Sequence, residues 1–307
     1  MGGHFGAPEV VGTMVLPLVV GVDGSEPSLH AVDWAADEAV RHDCPLRIVH
    51  ASLWERYESE ALADAPGTGP DVVTERDLVE GIVAGASQRA RQRAPTLEIS
   101  TDVVPEDPAS ALLSEARHAA AVVTGVRGRG PIRELLLGSV SLSLAARSPC
   151  PVVVVRGREQ NRQAVNGLVV VGVGGGTDRP AIRYALREGA VRGCEVEAVR
   201  AWRRPAHGTP PQSQPTGEPA RGEEEQASLL LAEALDGADE EYPGVSMHHT
   251  LFEGSARHAL VARSSAADLV VIAARRPRGH LGPQLGLVGH TVLHHSECPV
   301  VVVPHHE

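Results

Sequence analysis

The sequence contains no lysine: its 28 basic residues other than histidine are all arginine. That absence excludes a P-loop lysine, a Schiff-base lysine and a Ser–Lys catalytic pair. Aromatic residues are scarce as well, at 3%. The core must therefore be built from Val, Leu, Ile and Ala, a composition suited to buried parallel strands and Ala-rich helices. Cysteine is limited to Cys44, Cys150, Cys194 and Cys298. None forms a CxxC pair, so neither a zinc ribbon nor a thioredoxin-type site is indicated, and a reduced, cytoplasmic compartment is the expectation. No apolar run approaches the ~20 residues of a membrane helix. Residues Met1–Thr13 lack a basic region and a long apolar stretch, and read as a tail rather than a signal peptide. Positive charge is also in deficit. The net charge of −11 argues against broad binding to nucleic acid or to acidic membranes.

What is present is alternation. Leu16–Val22 (LPLVVGV) is an apolar run ended by Asp23-Gly24-Ser25. A helix is expected from there to about Arg41, capped by Ser25 or Ser28 and started by Pro27, with Leu29, Val32, Ala36 and Val40 near one face. Leu46–Ala51 reads as a second strand, Ser52–Pro70 as a loop and Val72–Arg93 as a helix. Leu97–Val104 reads as a third strand, Pro108–His118 as a helix, Ala119–Thr124 as a fourth strand, Val140–Arg147 as a helix and Pro151–Val155 as a fifth strand. Strands and helices in strict alternation imply a doubly wound parallel sheet.

Between the fourth strand and its helix lies Gly125–Ser139, reading GVRGRGPIRELLLGS. Glycine lets backbone approach a ligand closely. Ser139 stands at a helix start, where free N–H groups and the positive end of the helix dipole favour an anion. In an open parallel sheet, ligands sit at the carboxyl ends of strands near the reversal of strand order. Asp23 and Gly125 therefore face one crevice, although Asp-Gly is also an ordinary turn pair.

The pattern then repeats. VVGVGGG at Val170–Gly176 echoes VVGVDGS at Val19–Ser25, and CPVVVVP at Cys298–Pro304 echoes CPVVVVR at Cys150–Arg156. The chain reads as two tandem copies joined by the polar stretch Gly157–Asn166. In the second copy, Arg203–Gly222 is rich in Pro, Gly and Gln and reads as a long loop.

The spacing G-x-x-G, nine residues, G-S, followed by a helix and CPVVVV, resembles the nucleotide-binding signature of the universal stress protein family. The resemblance covers both copies. It implies two tandem five-stranded parallel-type α/β sandwiches of adenine nucleotide alpha hydrolase-like architecture. The expected layout is a tail at 1–14, a first domain at 15–157, a linker at 158–166, a second domain at 167–304 and a tail at 305–307. In this family the fifth strands of two domains pair, which implies an internal pseudo-dimer; an unpaired run of valines would otherwise be an exposed edge. Members with the glycine signature bind ATP. Carried over residue by residue, the resemblance sets Gly21 and Val22 beside Asp23 at the nucleotide and Ala51 in the adenine pocket. Thr124 and Gly125 fall near the ribose, and Gly128, Arg129, Gly138, Ser139, Val140 and Ser141 around the phosphates, with hydroxyls from Ser139 and Ser141. A Mg²⁺ ion bridging the phosphates is compatible with this set, without a carboxylate dedicated to it. Arg127 and Arg133 lie in the same loop.

The second copy departs from the signature: Ala273 stands for Gly125, Arg276 for Gly128, Leu287 for Ser139 and Gly174 for Asp23, while Gly286 keeps the place of Gly138. Weak or absent ATP binding is expected there. Gly172–Gly176 fails the dinucleotide spacing G-x-G-x-x-G at Thr177. His290 and His294 have a helical metal spacing, but no HExxH pattern accompanies them. The acidic run Glu223-Glu224-Glu225 is expected in the first turn of a helix, and no G-x-S-x-G nucleophile elbow occurs. Three functions compete: an ATP-binding regulatory protein with at most slow hydrolysis, a nucleotide-hydrolysing or nucleotidyl-transfer enzyme, and a nucleotide-independent interaction scaffold. Self-association and an unidentified protein partner are further expectations.

Overall fold

The computed structural model describes residues 15–52, 75–126, 137–175, 178–204, 218–274 and 285–304. In the first half, β1 (Leu18–Gly21), α1 (Glu26–Arg41), β2 (Leu46–Ala51), α2 (Glu75–Arg93), β3 (Ile99–Val104), α3 (Pro108–Glu115), β4 (Ala121–Gly125), α4 (Ser139–Arg147) and β5 (Val152–Val155) follow in order. A short helix α5 (Glu159–Arg162) leads into the second half. There β6 (Leu168–Gly172), α6 (Arg179–Arg192), β7 (Glu195–Trp202), α7 (Glu218–Leu235), α8 (Ala238–Glu241), β8 (Met247–Glu253), α9 (Ala256–Ser264), β9 (Leu269–Ala274), α10 (Leu287–His295) and β10 (Val300–Pro304) repeat the plan.

All ten strands form one sheet, ordered β3-β2-β1-β4-β5-β10-β9-β6-β7-β8. Within each half the strands are parallel, and the halves meet where β5 and β10 pair antiparallel, Val153 opposite Val301. The valine runs explain this junction. Successive strand residues point to opposite faces, so Val153 and Val155 enter the core under α1, α2, α6 and α7. Val152 and Val154 enter the core under α3, α4, α9 and α10. A strand apolar on both faces needs cover on both faces and a partner at its edge. The sheet supplies all three, and the internal pseudo-dimer follows.

The halves also meet through charge. Glu38 of α1 and Glu188 of α6 face each other across the junction and are both buried. Arg192 bonds both oxygens of Glu38 at 2.8 Å and Glu188 at 3.2 Å. His42 Nε2 lies 3.1 Å from Glu188 and 3.4 Å from Glu38. Burial works against the His42 cation, but its bonds to the two carboxylates carry its pKa up to about 9. Burial likewise opposes the Glu38 anion, yet the Arg192 guanidinium holds that carboxyl well below its usual range. Two like charges brought together where the halves meet are held by two different cations. Glu38, His42 and Glu188 have ligand atoms close enough for a metal ion, but the guanidinium occupies that position.

Three expectations are corrected. Val40 is 54% exposed; the buried face of α1 runs through Ala31, Val32, Ala35, Glu38 and Ala39. Helix α7 begins at Glu218, inside the stretch read as a loop, because Pro219 suits a first helical turn. Glu223–Glu225 consequently fall in the second turn rather than the first. The linker is docked on the second half: Asn161 is buried and donates to the carbonyls of Ser264, Ser265 and Ala267. Gly157 has φ +83°, and a Cβ there would lie 2.0 Å from the Glu297 carbonyl oxygen. The loop expected at Ser52–Pro70 falls, except for Ser52, outside the described residues. No helix among the described residues is long and apolar enough to cross a membrane.

Candidate functional site

Strand order reverses between β1 and β4, with Val20 paired to Val123. That register brings Gly21, Val22 and Asp23 beside Thr124 and Gly125 at the carboxyl end of the sheet. The Val22 amide bonds the Val49 carbonyl at 2.9 Å. Buried His50 reaches back with Nδ1 2.7 Å from the Val22 carbonyl; a carbonyl only accepts, so the proton sits on Nδ1. This fixes the end of β2, and with it half-buried Ala51, against the end of β1.

Asp23 is both a turn residue and a crevice residue. Its Oδ1 accepts from the Ser25 amide at 3.0 Å and from the Ser25 hydroxyl at 2.6 Å. Its carboxylate stays half-exposed at the crevice. Gly24, with φ +76°, makes the turn possible.

Gly125 has a structural reason of its own. A Cβ there would lie 2.5 Å from the Pro27 carbonyl oxygen and 3.0 Å from the Ser28 amide, so any side chain would displace the first turn of α1. In the second half Ala273 stands at the matching place, and α6 begins at Arg179, about half a turn later than α1 does in its own repeat.

The neck of the glycine loop is held by hydrogen bonds. The Gly138 amide donates to the Val126 carbonyl at 2.7 Å. Thr124 Oγ1 donates to Ser141 Oγ at 3.0 Å, and Ser141 Oγ donates to the Gly125 carbonyl at 2.9 Å. The Ser141 hydroxyl, expected near the phosphates, donates inward, and its side chain is buried. Gly138 caps α4 without a side-chain bond. The amides of Ser139, Val140 and Ser141 open the helix and have no acceptor within it. Ser139 is exposed, so its hydroxyl remains available. Gly128 and Arg129, like Arg127, Arg133 and Arg276, lie outside the described residues. The carboxyl end of the sheet thus carries a carboxylate after β1 and three helix-start amides in the segment that follows β4. That pairing suits a ligand with hydroxyls at one end and anionic oxygens at the other.

One participant escaped sequence reasoning. His294, on the last helix of the second half, accepts from the Leu137 amide at 3.4 Å. Its ring stacks on His290, with centroids 4.4 Å apart. Arg156 bonds the neighbouring Leu293 carbonyl. The second half therefore touches the neck of the first half's loop. The His290/His294 spacing was visible in the sequence, but only the β5–β10 junction turns that helix toward Leu137.

In the second half the equivalent crevice is open, with a volume of about 430 Å³. Ile272 and Gly289 replace the Thr124–Ser141 pair. A Cβ on Gly289 would lie 2.9 Å from Leu285. Gly174 and Gly175 donate their amides to Asp178 Oδ2, the latter at 2.9 Å.

The universal stress protein family model matches residues 14–156 and 167–304 of this chain. A universal stress protein of Mycolicibacterium smegmatis is 32% identical over 294 residues, covering 93% of this chain and 96% of its own. Among solved structures, a universal stress protein from Archaeoglobus fulgidus shares the fold with a TM-score of 0.67 at 16% identity, covering 94% of this chain and 98% of its own. A universal stress protein solved in complex with cAMP is 29% identical, covers 47% of this chain and 98% of its own, and has a TM-score of 0.35.

Proposed function

Because the chain belongs to the universal stress protein family, we propose that its first domain binds an adenine nucleotide, ATP above all, as a regulatory ligand. The observation that carries this reading is the helix start at Gly138–Ser141, uncapped by any side chain and tied to the end of β4 by the Thr124–Ser141–Gly125 bonds. Its three free amides form a preorganised anion site. Asp23 would accept from ribose hydroxyls, and Gly21, Val22, Ala51, Thr124 and Gly125 would line the base and sugar. Gly128, Arg129, Gly138, Ser139 and Val140 would surround the phosphates. A Mg²⁺ ion would be held by the phosphates and water, since Asp23 is the carboxylate nearest to hand and its Oδ1 is already bonded.

A regulatory role is favoured over catalysis because none of the described residues in the crevice is placed as a general base. The His50 imidazole is buried against the end of β1. Nucleotide bound at the loop would act on the contacts that leave its neck, those of Leu137 and His294 included. The test is to release and identify any nucleotide that co-purifies, then titrate ATP by calorimetry against the intact chain and Asp23→Ala. One site, weakened in the variant, supports the reading; no site would return the protein to the role of an interaction scaffold.

A further inference from the structure

The second domain has not simply lost a nucleotide site. Thr124, Ser139 and Gly125 are replaced by the larger, apolar Ile272, Leu287 and Ala273, yet the crevice stays open at about 430 Å³. That volume is within the ordinary range of small-molecule sites, about 300–1,000 Å³. Its walls include Val199, Ala201, Leu260, Ile272, Leu287 and Val288. Leu287 and Val288 are 67% and 37% exposed. Apolar area left in water is unfavourable by about 25 cal/mol per Å², so an occupant with an apolar body would relieve that cost.

Charge narrows the occupant further. No cationic side chain is found among the described residues of the walls. Asp178, 2% exposed, sets a carboxylate there and takes up the Gly174 and Gly175 amides. These amides close the end of β6, where an anion would otherwise find donors. Among the described residues, the first-turn amides of α10 also face the crevice, following Gly286 without a side-chain cap. Such amides bond an acceptor oxygen and have no use for a donor.

We propose that the second domain's crevice is a binding site for a neutral, compact and largely apolar molecule bearing a carbonyl-type oxygen. The oxygen meets the start of α10, and the apolar body lies against Ala201, Leu260 and Ile272. The two domains then respond to different chemistry: an anionic nucleotide in the first, an uncharged ligand in the second. This inference stands whether or not the first domain binds nucleotide.

The probe is coumarin, a neutral bicyclic lactone, titrated into the full chain by fluorescence with coumarin carboxylate as the charged counterpart. Saturable binding of one coumarin per chain is expected, with a Kd below about 1 mM, and at least about tenfold weaker binding of the carboxylate. Ala201→Trp fills the crevice and Leu287→Glu puts a charge on its wall; each is expected to weaken coumarin binding by about tenfold or more. Leu287 is exposed, so its variant keeps the fold if the crowded Ala201→Trp does not, and thermal melts identify which variants are folded. Saturating ATP is expected to leave coumarin affinity within about twofold. Absence of saturation, indifference to Leu287→Glu, tighter binding of the carboxylate or displacement of coumarin by ATP would each overturn the proposal.

Discussion

Replacing Ser139 by glutamate separates nucleotide binding from folding. Ser139 is exposed and opens α4. A carboxylate in the first turn of a helix is favourable by about 0.3–1 kcal/mol, so the variant should fold as well as the parent. Bound phosphate would feel the opposite effect. A unit negative charge about 5 Å from a phosphate charge, at an effective dielectric of about 40, adds about 1.7 kcal/mol of repulsion. That corresponds to about a twentyfold loss of affinity. Calorimetric titration of ATP into parent and variant measures the loss, and a thermal melt reports stability. Leu287→Glu at the matching position of the second domain should leave ATP affinity unchanged. An unaltered Kd in a folded Ser139→Glu protein would refute the placement of phosphate at this helix start.

The lock at the loop neck is tested by Ser141→Ala, which leaves Thr124 Oγ1 and the Gly125 carbonyl without their shared partner. A loss of about 1–3 kcal/mol in denaturant unfolding is expected, together with weaker nucleotide binding. Arg192→Met leaves Glu38 and Glu188 as buried acids short of a cation, and should cost about 3–5 kcal/mol. The His42 cation has its own signature. Its pKa is raised from 6.5 to about 9, so its stabilisation is complete below pH 6.5 and lost as pH rises through 9. After allowance for solvent screening this amounts to about 1–2 kcal/mol, and His42→Gln should remove that slope from a stability–pH curve. For the inter-domain contact, His294→Asn keeps an acceptor for the Leu137 amide and should bind ATP like the parent. His294→Ala should bind it more weakly, by about twofold to tenfold.

The valine runs made the alternation of strands and helices legible, because a parallel strand covered on both faces is apolar throughout. The β5–β10 junction was implied by the family resemblance, and the same runs agree with it, since neither suits an exposed edge. The face of α1 was not legible. With Ala at so many positions, periodicity favoured Val40, whereas the true face buries Glu38. Its counterion Arg192 comes from the other half of the chain, and no local pattern reports such a distant pairing. Asn161 is a similar case: a polar residue in a polar stretch, it is buried because three carbonyls of the second domain converge on it. Gly138 opens α4 without a side-chain cap. Gly125, by contrast, answers first to the packing of Pro27 and Ser28. Loss of the signature in the second copy was plain in the sequence, but the openness of its crevice was not, since a substitution list does not show whether side chains fill the space they line.

ATP stoichiometry on the intact chain tests the asymmetry of the two domains most directly. Calorimetry is expected to find one site per chain, abolished or strongly weakened by Ser139→Glu and untouched by Leu287→Glu. Two equivalent sites, or a single site that responds to Leu287→Glu alone, would contradict the assignment of nucleotide binding to the first domain.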